Sequence, residues 1–216
     1  MIVFEAVFLD LDGTLTDTEK YYQATWPAAF AHFGYEATPE MVLEMRSLSR
    51  PFAIARFREW FGEKASYDEI RKYRKTLTDD LFENQEIPLK PGAVELLCHL
   101  KERCITSALV TAQNIERAMK NLEKTGLDRY LSRVVAADMV ELGKPAPDIY
   151  LYACRELGVR PDRTLAVEDS PNGVKSAYGA GCRVVMVPDL SEPDAELAKM
   201  LYARADTLTD IISLLG

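Results

Sequence analysis

The chain has 216 residues, 26 of them basic and 34 acidic, for a formal net charge of −8 at pH 7. Hydrophobic residues make up 48% and charged residues 28%, the balance of a folded globular chain rather than a disordered or fibrous one. Such an acidic surface argues against a nucleic-acid-binding face and against a polybasic membrane anchor. An anionic ligand would then have to meet positive charge gathered locally or carried by a metal. The cysteines, Cys98, Cys104, Cys154 and Cys182, form neither a CxxC pair nor a zinc-type cluster with histidine. A reducing cytoplasm and a monomer are the expectations. The opening stretch, MIVFEAVFLDLDG, meets acids too soon for a signal peptide or a membrane span.

The elements follow in chain order. The β-branched and aromatic run Ile2 to Leu9 predicts a strand buried on both faces. From Thr16 to Pro88 no strand pattern occurs for about seventy residues, beyond the length of an ordinary loop. The stretch reads as helices, with Tyr22, Trp26, Phe30 and Phe33 on one face, Phe57, Trp60 and Phe61 in a second apolar cluster, and an amphipathic helix over Tyr67–Phe82. Beyond it, strands predicted at Ile105–Val110, Arg133–Ala136, Arg163–Val167 and Arg183–Val187 alternate with helices. One helix follows Pro91, a second is capped by Asn114 and ends at Gly126, a third spans Pro147–Leu157, and a fourth Asn172–Gly179. This is the pattern of an α/β, Rossmann-like parallel-sheet core. The predicted core domain covers residues 1–15 and 89–216, and an inserted α-helical domain covers 16–88.

In open parallel sheets, ligands bind beyond the carboxyl ends of the strands. Here the first strand ends in Asp10-Leu11-Asp12-Gly13-Thr14, the second in Thr111-Ala112, and the fourth in Glu168-Asp169-Ser170, while Lys144-Pro145 precedes the helix after the third. Carboxylates converging from Asp10, Asp12, Glu168 and Asp169 would repel one another without a counter-charge. A hard divalent cation resolves this, and oxygen ligands suit Mg²⁺. Carboxylates, magnesium, a lysine and a hydroxyl together suit phosphoryl transfer, where catalysis is mostly positioning and charge stabilisation. Read singly, each feature has a plainer meaning: an aspartate turn, a helix cap at Thr111, a solvated lysine, first-turn acids at Glu168 and Asp169. Their joint placement at one sheet edge is what favours chemistry.

The segments DLDGTLTDTE, LVTAQN, GKPAPD and EDSPNG resemble, in order, the four signature motifs of the haloacid dehalogenase superfamily, from residue 10 to about 173. In motif style they are similar to its β-phosphoglucomutase and phosphoglycolate phosphatase group, and the helical insert is similar to that family's cap. The resemblance implies Asp10 as nucleophile and Asp12 as general acid and base. It implies Mg²⁺ held by Asp10, the Asp12 carbonyl and Asp169, with Glu168 as a further acid near the metal. Thr111 and the Ala112 N–H would bind phosphate, Lys144 would steady Asp10 and the transferring group, and Gly13 would permit the turn. Dehalogenases of the superfamily lack an acid at the Asp12 position, so the resemblance implies phosphate chemistry. Lys20 as a Schiff-base lysine is disfavoured, because nothing in the sequence desolvates it.

The insert decides between phosphatase and mutase. Arg50, in LSRP, falls where β-phosphoglucomutases carry an arginine for the substrate's second phosphate, and Arg46 lies one helical turn earlier. Their position mutases give to histidine is Tyr22, which does not shuttle protons near neutral pH. The expectation is therefore a Mg²⁺-dependent phosphatase acting on a small phosphorylated metabolite, with a β-phosphoglucomutase-like mutase second. A non-catalytic phosphate-binding or receiver-like module comes third, because a receiver needs no cap and no acid at Asp12. Connections near Leu15–Thr18 and Pro88–Pro91 are the expected hinges.

Overall fold

The computed structural model describes residues 3–84 and 86–215. Among the described residues, six parallel strands form one sheet in the order β3-β2-β1-β4-β5-β6. These are β1 (Ala6–Leu9), β2 (Thr106–Thr111), β3 (Arg133–Ala136), β4 (Thr164–Glu168), β5 (Arg183–Met186) and β6 (Ala203–Arg204). The helices are α1 (Glu19–His32), α2 (Pro39–Glu44), α3 (Arg50–Phe61), α4 (Tyr67–Asn84), α5 (Ala93–Glu102), α6 (Ile115–Thr125), α7 (Asp148–Leu157), α8 (Pro171–Gly179), α9 (Ala195–Ala198) and α10 (Leu208–Leu215). None of these helices is long and apolar enough to cross a membrane.

Strict alternation along the strands builds two cores. Val7 and Leu9 of β1, Leu109 of β2 and Leu165 and Val167 of β4 face a layer supplied by α5, α6 and α10. Ala6, Phe8, Ala108, Val110 and Ala166 face the other side, against α7, α8 and α9. A strand buried on both faces reads as a continuous apolar run, which is why the sequence signals the central strands so plainly. The first strand begins later than its apolar run: Ala6 is the first residue in register with both Thr106 and Thr164, and Val3 is 73% exposed. Met1 and Ile2 lie outside the described residues. The two-residue β6 has no apolar run to announce it.

Strand order reverses at β1, which lies between β2 and β4. That switch point opens a crevice at the carboxyl ends of β1 and β4. Asp10 and Glu168 stand at its lip.

The chain leaves this core after β1 and returns just before α5. Thr16 pairs with Leu89 in an antiparallel bridge, and the Asp17 N–H donates to the Pro88 carbonyl at 2.8 Å. Helices α1 to α4 share a third apolar cluster. Here the two predicted aromatic groups pack as one: Trp26 stacks on Phe30 at 5.5 Å, Phe30 meets Phe57 at 5.2 Å, and Phe57 meets Tyr67 edge-on at 5.0 Å. Phe33 departs from the predicted stripe. It caps the end of α1, where the helical face no longer points inward, and it is 37% exposed.

Candidate active site

The loop after β1 is the first component. The Asp10 N–H donates to the Val167 carbonyl at 3.1 Å, continuing the ladder one residue past the strand. A tight turn then closes, with the Gly13 N–H donating to the Thr16 carbonyl at 2.8 Å. Gly13 has φ +82°, and a Cβ there would lie 2.4 Å from Asp169 Oδ2. Left-handed backbone and close approach both require glycine at this point. Asp10 is buried, and Asp12 is buried beside the cavity between sheet edge and insert.

Asp12 is clasped from two sides. Its Oδ1 accepts from Thr18 Oγ1 at 2.6 Å and its Oδ2 from Gln113 Nε2 at 2.6 Å. Gln113 is itself fixed: its N–H donates to Thr111 Oγ1 at 3.1 Å, its Oε1 accepts from Asn121 at 3.3 Å, and its Nε2 also reaches the Tyr22 hydroxyl at 3.2 Å. The sequence marks Thr18 only as the end of an expected hinge and does not single out Gln113, although Gln113 follows Ala112 within LVTAQN and its polar side chain there is the signal that could have found it.

Lys144 is fully buried in the loop between β3 and α7, at a cis Lys144–Pro145 peptide. Its Nζ lies 2.6 Å from Asp10 Oδ1, 2.6 Å from Glu168 Oε1 and 2.9 Å from the Val110 carbonyl. The three N–H donors of the ammonium are therefore all engaged. Burial alone would lower its pKa, but the carboxylates of Asp10 and Glu168 outweigh it and hold the ammonium well above the usual lysine value.

Glu168 and Asp169 follow β4. Tyr150 of α7 donates its hydroxyl to Glu168 Oε1. Helix α8, capped by Ser170 Oγ accepting from the Gly173 N–H at 3.2 Å, starts so near that a Cβ on Gly173 would fall 1.8 Å from Glu168 Oε2. Asp169 faces Arg46, whose Nη1 lies 3.4 Å from Asp169 Oδ2 and whose Nη2 donates to Ser191. Burial raises the Asp169 pKa to about 7, against the pull of Arg46 and with the push of Glu168. Burial likewise raises Asp10 well above the usual carboxylate range, Lys144 pulling down and Glu168 and Asp169 pushing up.

Asp10, Glu168 and Asp169 each bring one carboxylate oxygen within 4.8 Å of the others. Asp10 Oδ2, Glu168 Oε2 and Asp169 Oδ1 are buried without a hydrogen-bond partner. An all-oxygen donor set with unspent negative charge fits a hard divalent cation.

The sheet edge thus gathers Asp10, Asp12, Gly13, Thr111, Ala112, Lys144, Glu168 and Asp169, as the motif order predicted. The insert's residues fall differently. Arg46 is buried and turned toward Asp169 and Ser191, and the loop around it is docked on the core: Asn172 donates to the Arg46 carbonyl at 2.8 Å, and the Ser49 N–H to the Lys144 carbonyl at 2.8 Å. Arg50 is exposed and forks onto Asp68 at 2.8 and 2.6 Å. Tyr22 is buried, its hydroxyl tied to Gln113 and its pKa raised, first by burial and next by Asp12. Glu19, named by no expectation, is a buried carboxyl beside this group, with its pKa raised by burial and by Asp169 and Asp12.

A buried lysine bound to two strand-end carboxylates thus stands at the switch point of a parallel sheet, the place where enzymes of this architecture bind their ligands. The chain belongs to the haloacid dehalogenase-like hydrolase family, whose model matches residues 4–181. It is 32% identical to protein CbbY of Cereibacter sphaeroides over 99% of this chain and 95% of that protein. It is 33% identical to hexitol phosphatase A of Escherichia coli K12 over 87% of this chain and 88% of that protein. In structure it is similar to a variant of CbbY from Rhodobacter sphaeroides in complex with xylulose-(1,5)bisphosphate, with TM-score 0.78, 28% identity and 96% of each chain covered.

Proposed function

We propose that the protein is a magnesium-dependent phosphatase that hydrolyses a small phosphorylated sugar or related metabolite through a phosphoaspartyl intermediate. The observation that carries this reading is the second aspartate: Asp12 lies on the cavity wall, clasped by Thr18 and Gln113, two residues past the buried Asp10. Displacing an alkoxide needs an acid at that place. The names of CbbY's bisphosphate ligand and of hexitol phosphatase support a sugar-phosphate substrate.

Asp10, Asp169 and the Asp12 carbonyl would hold Mg²⁺, with Glu168 beside them; when bound, the cation would offset the negative charge of the acids and the phosphoryl group. Lys144 binds Asp10 through Oδ1 and holds the carboxylate in place. In the first step the Asp10 carboxylate attacks phosphorus through the oxygen that does not face the cation, the bond from phosphorus to the ester oxygen breaks, and the Asp12 carboxyl gives that oxygen its proton. In the second step the Asp12 carboxylate takes a proton from water, the water oxygen attacks phosphorus, and the acyl–phosphate bond breaks to return Asp10 and release phosphate. Thr111, with the Ala112 N–H beside it, would receive the phosphate oxygens. The helices of residues 16–88 act as a cap that closes over this chemistry, hinged where Thr16 pairs with Leu89.

A mutase would need its sugar intermediate to be held and turned rather than replaced by water. The buried Tyr22 hydroxyl, bound to Gln113, supplies no base for that, which favours the phosphatase.

The test is a panel of phosphate esters, including β-glucose 1-phosphate, 2-phosphoglycolate and p-nitrophenyl phosphate, run with Mg²⁺, with EDTA and with Asp10→Asn. Inorganic phosphate and glucose 6-phosphate are both read. Phosphate release that needs Mg²⁺ and Asp10 is the expected result. Glucose 6-phosphate with little free phosphate would establish the mutase instead.

A further inference from the structure

One buried ion pair ties the insert to the acids of the sheet edge. Arg46 lies in the loop between α2 and α3, and its Nη1 meets Asp169 Oδ2 at 3.4 Å with both side chains buried. Arg117 of the core also pairs with Asp79 of the insert, but there the carboxylate is half exposed. A charge taken out of water needs a partner of opposite sign, and breaking a buried pair from one side is costly. A residue of the insert thus supplies counter-charge to an acid of the core.

The loop that carries Arg46 is held on the core at four further points. Arg46 Nη2 donates to Ser191, Asn172 donates to the carbonyls of Glu44 and Arg46 at 3.1 and 2.8 Å, and the Ser49 N–H donates to the Lys144 carbonyl at 2.8 Å. Gly143 comes so near that a Cβ there would fall 2.9 Å from Ser49 Cβ. Two costs accompany this docking. Ser47 has φ +52°, a left-handed backbone that a residue with a side chain keeps only where its surroundings hold it there. Arg46 Nε is buried with no hydrogen-bond acceptor. Behind the loop a second cavity, of about 600 Å³, opens between Leu48 and Phe52 of the insert and Pro145 and Pro171 of the core, and Arg46 borders both cavities. The guanidinium therefore has space on its far side into which it can withdraw.

The docked loop meets the acids that fit a divalent cation. Asp10, Glu168 and Asp169 each have one unpartnered oxygen, and the other oxygen of Asp169 faces Arg46. A divalent charge among these carboxylates and a guanidinium 3.4 Å from one of them draw on the same negative charge and repel each other. We propose that Arg46 is a competing counter-ion for this acid cluster: paired with Asp169 it latches the insert onto the core, and a divalent cation held at Asp10 and Asp169 displaces it and frees the insert to admit substrate. This rests on the magnesium-dependent reading and adds an order to it, cation before ester. It also gives Arg46 a regulatory place rather than the substrate contact expected from its position in the sequence. Such coupling is reciprocal: a cation that loosens the latch binds better once the latch is gone.

The experiment uses the full chain, stripped with EDTA and dialysed, at pH 7.5 and without substrate. Calorimetry measures Mg²⁺ binding, and amide hydrogen exchange read by mass spectrometry follows peptides across residues 44–50 in EDTA and in saturating Mg²⁺. Arg46→Gln should bind Mg²⁺ about tenfold more tightly than the parent. In the parent, Mg²⁺ should speed exchange across 44–50 about tenfold, whereas in Arg46→Gln exchange should be fast in EDTA and in Mg²⁺ alike. Asn172→Ala keeps every charge and loosens only the loop, so it serves as the second variant should Arg46→Gln unsettle the fold. It should also bind Mg²⁺ more tightly than the parent, by a smaller factor. Equal Mg²⁺ affinity in all three chains would overturn the latch and keep the magnesium site. Tighter binding in Arg46→Gln, with exchange in the parent unmoved or slowed by Mg²⁺, would make Arg46 a repelling neighbour of the cation that releases nothing, and would also overturn the latch. Absence of Mg²⁺ binding in every chain would overturn the magnesium reading and the latch with it.

Discussion

The two ends of the cavity hold their cations in opposite ways. At the sheet edge Lys144 is fully buried and spends all three donors on Asp10, Glu168 and the Val110 carbonyl. At the other end Arg74 and Arg117 stand against aromatic rings with buried donors unspent. A cation with every donor engaged holds its neighbours in place and has little left for a ligand. A cation fixed by stacking, which uses no donor, keeps its hydrogen bonds for whatever enters. Burial and charge alone would not distinguish these roles; the count of free donors does.

The largest expected effect tests the sheet edge itself. Asp10→Asn removes the attacking carboxylate, and turnover of p-nitrophenyl phosphate should fall on the order of 10⁵-fold. Asp12→Asn removes only proton transfer, and the loss should be about 10²–10⁴-fold. The gap between them should widen for p-nitrophenyl phosphate, whose leaving group needs little protonation, and narrow for an alkyl ester, whose leaving group needs the proton. Equal losses on both substrates would remove Asp12 from the acid role.

Lys144→Met should show that this cation is structural as well as catalytic. It leaves Asp10 and Glu168 buried and facing each other without their counter-charge. Breaking a buried pair from one side costs about 3–5 kcal/mol, to be read from urea unfolding midpoints at pH 7.5 in EDTA. Part of the loss should return at pH 5, where the carboxyls can protonate. A variant as stable as the parent would mean that the two ends of the cavity do not differ as described.

Much of the sheet edge was legible because topology does the gathering. Apolar runs marked the central strands, and polar residues directly after them could only meet at the switch point. Asp10, Asp12, Thr111, Lys144, Glu168 and Asp169 stand together for that reason. The insert was legible as helices and hardly at all as a site. A helical periodicity tells which face is apolar, but not which exposed arginine finds an acid on the next helix. Asp68 lies 18 residues from Arg50, and Ser191 lies 145 from Arg46, and no local pattern pairs them. Arg74 looked like one charge among many on a solvated amphipathic helix, until the fold set Tyr22 and Trp26 against it. The C-terminal strand β6 went unseen because two residues carry no period.

A smaller effect separates the acid cluster from the arginine wall by pH. Asp169 is raised from its ordinary 3.8 to about 7 by burial, and Asp10 is raised by the same cause. Between these values the folded chain keeps protons that the unfolded chain has lost. The contribution of these groups to stability is therefore full below pH 3.8 and declines as pH rises toward 7. A divalent cation that needs the ionised carboxylates reverses this, so its stabilisation grows as those protons leave. The melting temperature in Mg²⁺ minus that in EDTA should widen from pH 5 to pH 7 and then level. Surface pairs contribute equally to both curves and cancel. A difference that is flat with pH would mean that the cation does not bind at these carboxylates.

The smallest effect falls on the link between the two ends. Gln113 donates to Asp12 at 2.6 Å and to the Tyr22 hydroxyl at 3.2 Å, so it joins the acid to the ring on which both arginines stack. Gln113→Leu keeps the volume and removes both donors. Losing a partner that orients a working group typically costs 10–100-fold, and for a group still held by Thr18 the expected loss in kcat is about tenfold. Tyr22 should also lose its tether, which predicts a second and smaller effect on KM. A fall in kcat with KM unmoved would mean that Gln113 serves Asp12 alone and that the Tyr22 ring is held by its stacked arginines without it. A large rise in KM for every ester would instead place Gln113 against the phosphate, and the separation between the two ends would lose its sharpest boundary.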